Sequence, residues 1–375
     1  MLFTRLAPVL ISLLPVATAN EARDRAEEGL LTLQDWYNDG TGLWDTIGWW
    51  NGANCMTAIA DLASIDPSVM ETANYVFNNT LIKAPPQNPH PGPETKANAK
   101  RDFVPRAVSS ANVSDWLDSA YDDDGWWALA WIAAYDVTED NTYLSLAEDI
   151  FAALTKAWGT RCGGGGLPWN PTSDYVNAIT NELFLSVAAH LANRVPSRKE
   201  DYVRWARKEW DWFAAQGFFG ENNTINDGLL DNCQNNGQTV WSYNQGVILG
   251  GLVELNHASP NNTYLESANT IAKAAIATLA DSNHVIHDFC ETSSCEPDAT
   301  QFKGIFMRNL LMLHSASPHD LYKSVIVNSA ESIWKRDRNE QGQFGVNWAG
   351  PPTMGKLDAS THSSAFDALV AAASL

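Results

Sequence analysis

The sequence has few cysteines and few basic residues, and both shortages limit what the protein can do. Five cysteines occur in 375 residues, and no Cys-x-x-Cys pair or Cys/His cluster suggests a structural zinc site. Lysine and arginine total 24 against 44 acidic residues, which gives a formal charge of −20. This balance argues against nucleic acid and anionic membrane surfaces as partners. A neutral polymer or a small molecule fits it better.

Several catalytic signatures are also missing. The sequence has no Gly-x-Ser-x-Gly elbow of serine esterases and no His-Glu-x-x-His zinc motif. The glycine run at 163–166 is not followed by Lys-Ser/Thr, so it does not predict a phosphate loop. Residues 226–233 resemble part of a calcium loop, but the EF-hand spacing and its terminal Glu are absent. We predict no metal and no cofactor, with a calcium ion at this loop as the open alternative.

The N-terminal residues 1–19 have the features of a secretory signal peptide. Arg5 precedes an apolar run at 6–16, and the Ala-Thr-Ala sequence at 17–19 fits a cleavage site. The run is shorter than the ~20 residues that a bilayer-spanning helix needs. The C-terminal residues lack the spacer and hydrophobic tail of a lipid-anchor signal. The sequence thus predicts an exported protein that begins near Asn20 and has no membrane anchor.

Glycosylation and disulfide signals agree with export. Four Asn-x-Ser/Thr sequons predict N-glycosylation, at Asn78, Asn112, Asn222 and Asn261. The odd number of cysteines leaves at least one free thiol or an intermolecular bond. Cys290 and Cys295 form the easiest pair, because a disulfide between them closes a short loop.

Hydrophobic periodicity predicts an all-α protein with no convincing strand. The predicted helices are approximately 22–38, 54–66, 68–82, 112–136, 140–157, 175–194, 198–216, 240–257, 260–280, 298–315, 317–336 and 358–374. Short and long links alternate between them, so antiparallel pairing places every long link on one face. Six such hairpins can close into an (α/α)6 barrel, which we predict as a single domain over 20–375, with functional residues on the long loops. An α-solenoid is the competing architecture, although no repeat of fixed period is present.

Three consecutive aspartates, Asp122, Asp123 and Asp124, precede Trp126 and Trp127 at the start of an apolar helix. Clustered carboxylates destabilise a fold unless they are solvated, protonated or bound to a cation. Glycoside hydrolysis uses two carboxyl groups, one as acid and one as nucleophile or base, about 5–5.5 Å apart in retaining enzymes. Neighbouring residues can provide that distance. We interpret the cluster as a glycosidase pair, with a helix-capping cluster or a metal site as alternatives.

Five stretches of this chain resemble glycoside hydrolase family 76, the α-1,6-mannanases, in its fungal branch. They are Y-D-D-D-G-W-W-A-L-A-W at 121–131, C-G-G-G-G-L-P-W at 162–169, the stretch 175–182, N-D-G-L-L-D-N-C at 226–233 and W-S-Y-N-Q-G-V-I-L-G-G at 241–251. The loop between Cys290 and Cys295, with F-K-G at 302–304 after it, is similar as well. The resemblance covers essentially the whole mature chain. It implies an (α/α)6 barrel and a retaining mechanism with two adjacent aspartates.

The resemblance also implies roles for individual residues. With the Trp126–Trp127 pair aligned to the family's aromatic pair, Asp122 is the nucleophile and Asp123 the acid/base; a register of Asp123 and Asp124 is the alternative. Residues from the matching stretches are candidates for substrate binding, namely Asp124, Trp126, Trp127, Trp169, Asn177, Asn181, Tyr243, Asn244 and Gln245. Helix caps and core amides are the alternative use of such polar residues.

The expected function is a secreted, monomeric endo-α-1,6-mannosidase acting on mannan or a mannose-containing glycan. Two alternatives remain open. One is a cell-wall transglycosidase that processes mannose-bearing anchor glycans by the same intermediate, and the other is a non-catalytic mannan-binding wall protein. Two adjacent acids favour catalysis, because a lectin does not need them.

Overall fold

The computed structural model describes residues 17–91, 112–352 and 357–375. Within them lie the twelve predicted helices, α1 (Ala19–Gln34), α2 (Trp49–Ile65), α3 (Met70–Lys83), α4 (Tyr121–Thr138), α5 (Asn141–Leu154), α6 (Ala178–Arg194), α7 (Lys199–Ala215), α8 (Ser242–Ala258), α9 (Asn262–Leu279), α10 (Phe302–Ala316), α11 (Asp320–Arg336) and α12 (Ala359–Ala373). Four two-residue strands form two small antiparallel ladders, β1 (Tyr37–Asn38) with β2 (Leu43–Trp44), and β3 (Val176–Asn177) with β4 (Gly228–Leu229).

Most of the signal-peptide prediction lies outside the described residues. In the described ranges, no helix has the length and apolar character needed to cross a membrane.

The even-numbered helices form a closed inner ring. Each packs against the next, α2 on α4, α4 on α6, α6 on α8, α8 on α10 and α10 on α12, and α12 returns to α2. The odd-numbered helices pack around this ring, with α1 against α12. The protein is therefore an (α/α)6 barrel, as the alternation of short and long links predicts.

Burial differs between the two rings because their surroundings differ. Every residue of α6 from 178 to 189 is buried, since protein surrounds this inner helix. In α7 the buried residues recur every three or four positions, which leaves one polar face for solvent. The inner helices also approach one another closely. A Cβ atom on Gly246 of α8 would lie 2.6 Å from the Phe306 Cα atom of α10, so this crossing requires glycine.

The long connections all lead into the first turn of an inner helix. They span 35–48, 84–120, 155–177, 216–241, 280–301 and 337–358, whereas the connections that leave inner helices have two to four residues. We call the end of the barrel with the long connections the loop face and the opposite end the link face. Six helix N-termini meet at the loop face, where their unpaired N–H groups favour negative charge.

Two disulfides stabilise the loop face. Cys162 and Cys233 join the α5–α6 loop to the α7–α8 loop, and Cys290 is bonded to Cys295 within the α9–α10 loop. The fifth cysteine, Cys55, is free and buried in α2. Cross-linking two loops that are distant in sequence restricts the unfolded chain more than closing a short loop does.

Replacing both Cys162 and Cys233 by alanine is expected to lower the free energy of unfolding by about 4 kcal/mol, because this disulfide spans 71 residues. Denaturant-induced unfolding followed by circular dichroism measures the loss. The matched control is the Cys290→Ala/Cys295→Ala variant, whose disulfide spans only 5 residues. Its loss is expected to be about half as large. Equal losses would show that loop length does not govern the effect.

Candidate active site

Asp122 and Asp123 lie side by side in the first turn of α4, at the loop face of the barrel, and both are half-buried. The preceding residue, Tyr121, donates its backbone N–H to the Trp169 carbonyl oxygen at 2.9 Å, which joins the α5–α6 loop to the start of α4. The two carboxyl groups therefore sit at a helix N-terminus, among the long loops.

The two neighbouring carboxyl groups have different surroundings. Burial raises the pKa of Asp122 to about 7, while backbone N–H groups and the Trp169 side chain donate to its carboxylate and oppose that rise. One of these donors is the Asp123 N–H at 3.2 Å. For Asp123, burial and the negative charge of Asp122 act together and raise the pKa well above its usual range. Asp122 is the member of the pair that ionises more readily, and Asp123 is the member that keeps its proton.

The third aspartate of the cluster has a different environment. Asp124 is 3% exposed, and its Oδ1 atom accepts a hydrogen bond from the Asp118 backbone N–H at 2.6 Å. This bond fixes the turn that leads into α4. The structure thus separates Asp124 from Asp122 and Asp123, which remain accessible from the loop face.

The tryptophan pair after the aspartates is buried. Trp126 is 3% exposed and stacks on Trp50 with ring centroids 5.6 Å apart. Trp127 has no exposed surface and packs against Trp49 and Trp116 at 4.7 and 4.8 Å. Neither ring offers a free face to a sugar in this structure; instead they hold α4 against α2 and the preceding loop.

Two other aromatic candidates do lie at the aspartate pair. Trp169 is 42% exposed and donates to Asp122. Tyr243 is half-buried and stacks on Phe302 with a centroid separation of 3.7 Å and an interplanar angle of 11°. Burial and the charges of Asp227 and Asp122 raise the pKa of the Tyr243 phenol well above its usual range, so it stays protonated.

The four amide candidates divide into two groups. Asn181 bonds to the Leu167 backbone N–H and carbonyl at 2.7 and 3.0 Å, and Gln245 bonds to both backbone groups of Ile225 at 2.9 and 2.8 Å. These two side chains hold loops in place. By contrast, the Asn177 Oδ1 atom and both polar side-chain atoms of Asn244 are buried without a hydrogen-bond partner among the described residues. Asn177 and Asn244 therefore retain free hydrogen-bonding capacity.

The glycine run at 163–166 has a packing role. The Trp212 ring lies against it, and a Cβ atom on Gly166 would come within 2.1 Å of that ring. Gly166 also has a φ of +69°, a conformation that other residues rarely adopt. The Trp212 indole N–H donates to the Cys162 carbonyl at 2.6 Å. These contacts make the run an ordered support for the loop that carries Trp169.

Two acidic side chains at the loop face, Asp298 and Asp227, were not among the sequence-based site residues. Asp298 accepts a hydrogen bond from the Trp50 indole at 2.9 Å, and its charge helps raise the pKa values of Asp122 and Asp123. Asp227 accepts a hydrogen bond from the Tyr175 hydroxyl. The calcium-like motif marked Asp227 in the sequence, whereas no local pattern distinguishes Asp298. Within the described ranges, no three His, Cys, Asp or Glu side chains are grouped to hold a metal ion.

A buried ion pair fixes the α9–α10 loop beside the site. The Lys303 Nζ atom lies 2.5 Å from the Glu291 Oε1 atom and donates to the Val346 carbonyl at 2.6 Å. His287 also contacts Glu291, at 2.7 Å. Burial alone would raise the pKa of Glu291, but the Lys303 and His287 charges hold it below its usual range. The stabilisation from Glu291 is therefore present near neutral pH and is lost as the pH falls through its lowered pKa.

The Lys303→Met variant is expected to lose about 3–5 kcal/mol of unfolding free energy at pH 7, because it leaves the Glu291 charge buried with weaker compensation. Urea unfolding measures this loss. The double variant Lys303→Met/Glu291→Gln removes both charges and is expected to lose less than the single variant. If the double variant were as unstable as Lys303→Met, the buried charge would not be the cause.

All four sequon asparagines are exposed on the described surface, Asn78, Asn112, Asn222 and Asn261. Asn112 and Asn261 also accept backbone hydrogen bonds at the start of a helical turn and of α9, respectively. A glycan on any of these side chains would extend into solvent.

Comparison with known proteins identifies the family. The sequence model of Glycosyl hydrolase family 76 matches residues 19–374. The chain belongs to this family. The predicted family is therefore confirmed.

The chain is also similar to curated fungal proteins. A Schizosaccharomyces pombe protein is 29% identical over 316 residues, and the match covers 80% of this chain and 65% of that protein. The mannan endo-1,6-α-mannosidase DFG5 of Candida albicans is 24% identical over 362 residues, covering 89% of this chain and 76% of that protein. The chain thus spans less than two thirds of the length of the first of these relatives.

Solved structures share the fold of this family 76 chain. An inactive variant of the GH76A α-1,6-mannanase of Salegentibacter sp., with two adjacent aspartates replaced by asparagine, was solved with α-1,6-mannotriose. It aligns with a TM-score of 0.75 at 18% identity, covering 94% of this chain and 99% of that one. Dfg5 of Chaetomium thermophilum in complex with glucosamine aligns with a TM-score of 0.75 at 22% identity, covering 97% and 92%.

Proposed function

We propose that this family 76 protein is a secreted, monomeric endo-α-1,6-mannosidase that hydrolyses the mannan backbone with retention of configuration. The observation that carries the proposal is the pair Asp122 and Asp123 in the first turn of α4, with unequal environments at the loop face. One carboxyl group that ionises more readily than its protonated neighbour is the combination that a double displacement requires.

In the first step, the Asp122 carboxylate attacks the anomeric carbon of the mannosyl unit. The bond from that carbon to the glycosidic oxygen breaks, and Asp123 gives its proton to the departing oxygen. The products are a mannosyl ester on Asp122 and a shortened chain. The helix N-terminus and the Trp169 N–H stabilise the Asp122 carboxylate before attack.

In the second step, Asp123, now ionised, removes a proton from water as the water oxygen bonds to the anomeric carbon. The ester bond breaks, Asp122 becomes a carboxylate again and Asp123 is reprotonated. The register Asp122/Asp123 is preferred over Asp123/Asp124, because the Asp124 carboxylate is buried and bound to the Asp118 N–H.

The mannan specificity rests on the relatives and on the site. The DFG5 relative is named as a mannan endo-1,6-α-mannosidase, and the GH76A variant lacking two adjacent aspartates holds α-1,6-mannotriose. In this chain Trp169 and Tyr243 would bind sugar rings. Asn177 and Asn244 would bind hydroxyl groups only after a movement that exposes them, because their unpartnered polar atoms are buried.

Size separation of the products formed from unbranched α-1,6-mannan tests this function. Internal cleavage is expected to give a ladder of oligosaccharides from the earliest samples, and the Asp122→Asn/Asp123→Asn variant gives none. Products longer than the substrate would favour the transglycosidase. Binding of mannan without any cleavage by the wild-type protein would favour a non-catalytic mannan-binding protein.

A further inference from the structure

A cavity of about 290 Å³ lies inside the inner ring toward the link face. Each inner helix contributes one charged residue to its wall, namely Asp61, Asp136, Arg194, Glu254, Arg308 and Asp367. They lie in the C-terminal halves of the inner helices or near their middle, whereas the catalytic pair lies in the first turn of α4. The charged part of the cavity is thus at the opposite end of the inner helices from the proposed active site, and Trp126 lines the cavity's inner end.

The charges in this cavity do not balance. Arg194 contacts Asp136 at 2.7 Å and Glu254 at 3.0 Å, and Arg308 contacts Asp367 at 2.9 Å. Two arginines therefore face four carboxylates. Burial lowers the pKa of the neighbouring His190, which leaves that side chain mostly neutral at neutral pH. Burial raises the pKa of Asp61 to about 7 and that of Asp367 to about 6, so above pH 7 the wall carries an excess of negative charge that a cationic ligand would neutralise.

Two carboxylates have unused hydrogen-bonding capacity. Asp367 is only 2% exposed, and its Oδ1 atom has no hydrogen-bond partner among the described residues. No ion pair or hydrogen bond is found for the Asp61 carboxylate within the same ranges, and Asp61 also lines the cavity. A buried carboxylate oxygen normally accepts a hydrogen bond, so the Asp367 Oδ1 atom is able to accept one from a ligand in the cavity.

The apolar part of the cavity wall indicates which group the cationic ligand carries beside its positive charge. Leu129 and Ala133 of α4, Leu311 and Met312 of α10 and Val370 of α12 line the same space. These side chains suit a short hydrocarbon chain. Because no three His, Cys, Asp or Glu side chains in the described ranges are grouped for a metal, the site suits an organic ammonium group better than a metal ion.

We infer that this cavity binds a small organic amine, with a protonated ammonium group donating to Asp367 and Asp61 and an alkyl chain lying along the apolar wall. A second ammonium group would reach the Asp136–Arg194–Glu254 cluster, where one carboxylate exceeds the number of arginines. A short linear diamine therefore matches the charge and the apolar lining of the cavity.

Titration calorimetry of the full-length protein with 1,4-diaminobutane at pH 8 tests the inference, with 1,4-butanediol as the neutral probe of the same length. Saturable binding of one diamine and none of the diol is expected. Asp61→Asn is expected to weaken diamine binding about tenfold. Asp211→Asn removes the same charge from an exposed position on α7 and is expected to leave binding unchanged.

Absence of saturable diamine binding to the wild-type protein would overturn the inference. Equal weakening by Asp61→Asn and Asp211→Asn would overturn it as well, because it would show only attraction to the overall charge of −20. Thermal unfolding checks that both variants fold, and a diamine-dependent rise in the wild-type Tm provides a second readout. Neither measurement uses glycosidase activity, so the outcome is independent of the proposed function.

Discussion

Replacing Asp122 by alanine is expected to lower kcat on α-1,6-mannan by about 10⁴-fold or more, because no other side chain replaces the lost nucleophile. Added sodium azide is expected to restore part of the turnover, since the small anion fits the space left by the carboxylate. Azide attacks once from the face that Asp122 occupies, so the product is the β-mannosyl azide. Product analysis by NMR distinguishes this azide from the α-anomer.

The azide experiment also decides the register of the pair. In the alternative register Asp123 is the nucleophile, and azide would then give the β-azide with Asp123→Ala instead of Asp122→Ala. The Asp124→Ala variant serves as a comparison, because Asp124 bonds to the Asp118 N–H and its loss is expected to lower stability. Azide is not expected to rescue that variant.

The Asp123→Asn variant is expected to lose about 10²–10⁴-fold in kcat/KM on mannan, because the leaving oxygen no longer receives a proton. The loss should be much smaller with an aryl mannoside, whose leaving group departs without protonation. Comparison of the two substrates measures the acid role directly. A similar loss on both would indicate damage to the site and not the loss of a proton donor.

The same substitution is expected to change the pH profile. With Asp122 as the nucleophile and Asp123 as the acid, the wild-type rate is expected to fall at low pH, where Asp122 is protonated, and at high pH, where Asp123 is ionised. Burial and the neighbouring Asp122 charge raise the pKa of Asp123, which moves the alkaline limb upward. The apparent pKa values of both limbs belong to the coupled pair and not to either aspartate alone. Asp123→Asn is expected to abolish the alkaline limb on the aryl mannoside, and its persistence would assign that limb to another group.

The fold was predictable because it depends on features that are local in sequence. Twelve apolar-periodic segments with alternating short and long links specify six hairpins, and all twelve helices are present in the structure. Helix starts were less predictable. The helix predicted over 112–136 begins only at Tyr121, because Val113–Asp115 forms a separate turn and Asp124 then bonds back to Asp118. That bond joins loop to helix, and periodicity carries no information about it.

The candidate site was predictable only in part, because some of its contacts are local in sequence and others are not. Adjacent aspartates remain adjacent in any fold, so the pair could be located from the sequence. The roles of polar side chains depend on partners that are distant in sequence. Asn181 bonds to Leu167, and Gln245 bonds to Ile225, so both support loops. Asp298 reaches the site through the Trp50 indole, across 248 residues.

The stereochemistry of the first product tests the central claim most directly. Proton NMR of the purified protein acting on unbranched α-1,6-mannan, recorded from the first minutes, shows which anomer of the new reducing end forms before mutarotation. The double displacement by Asp122 and Asp123 predicts that the α-anomer appears first. Initial formation of the β-anomer would mean that water attacks directly, and it would contradict the assignment of Asp122 as a nucleophile.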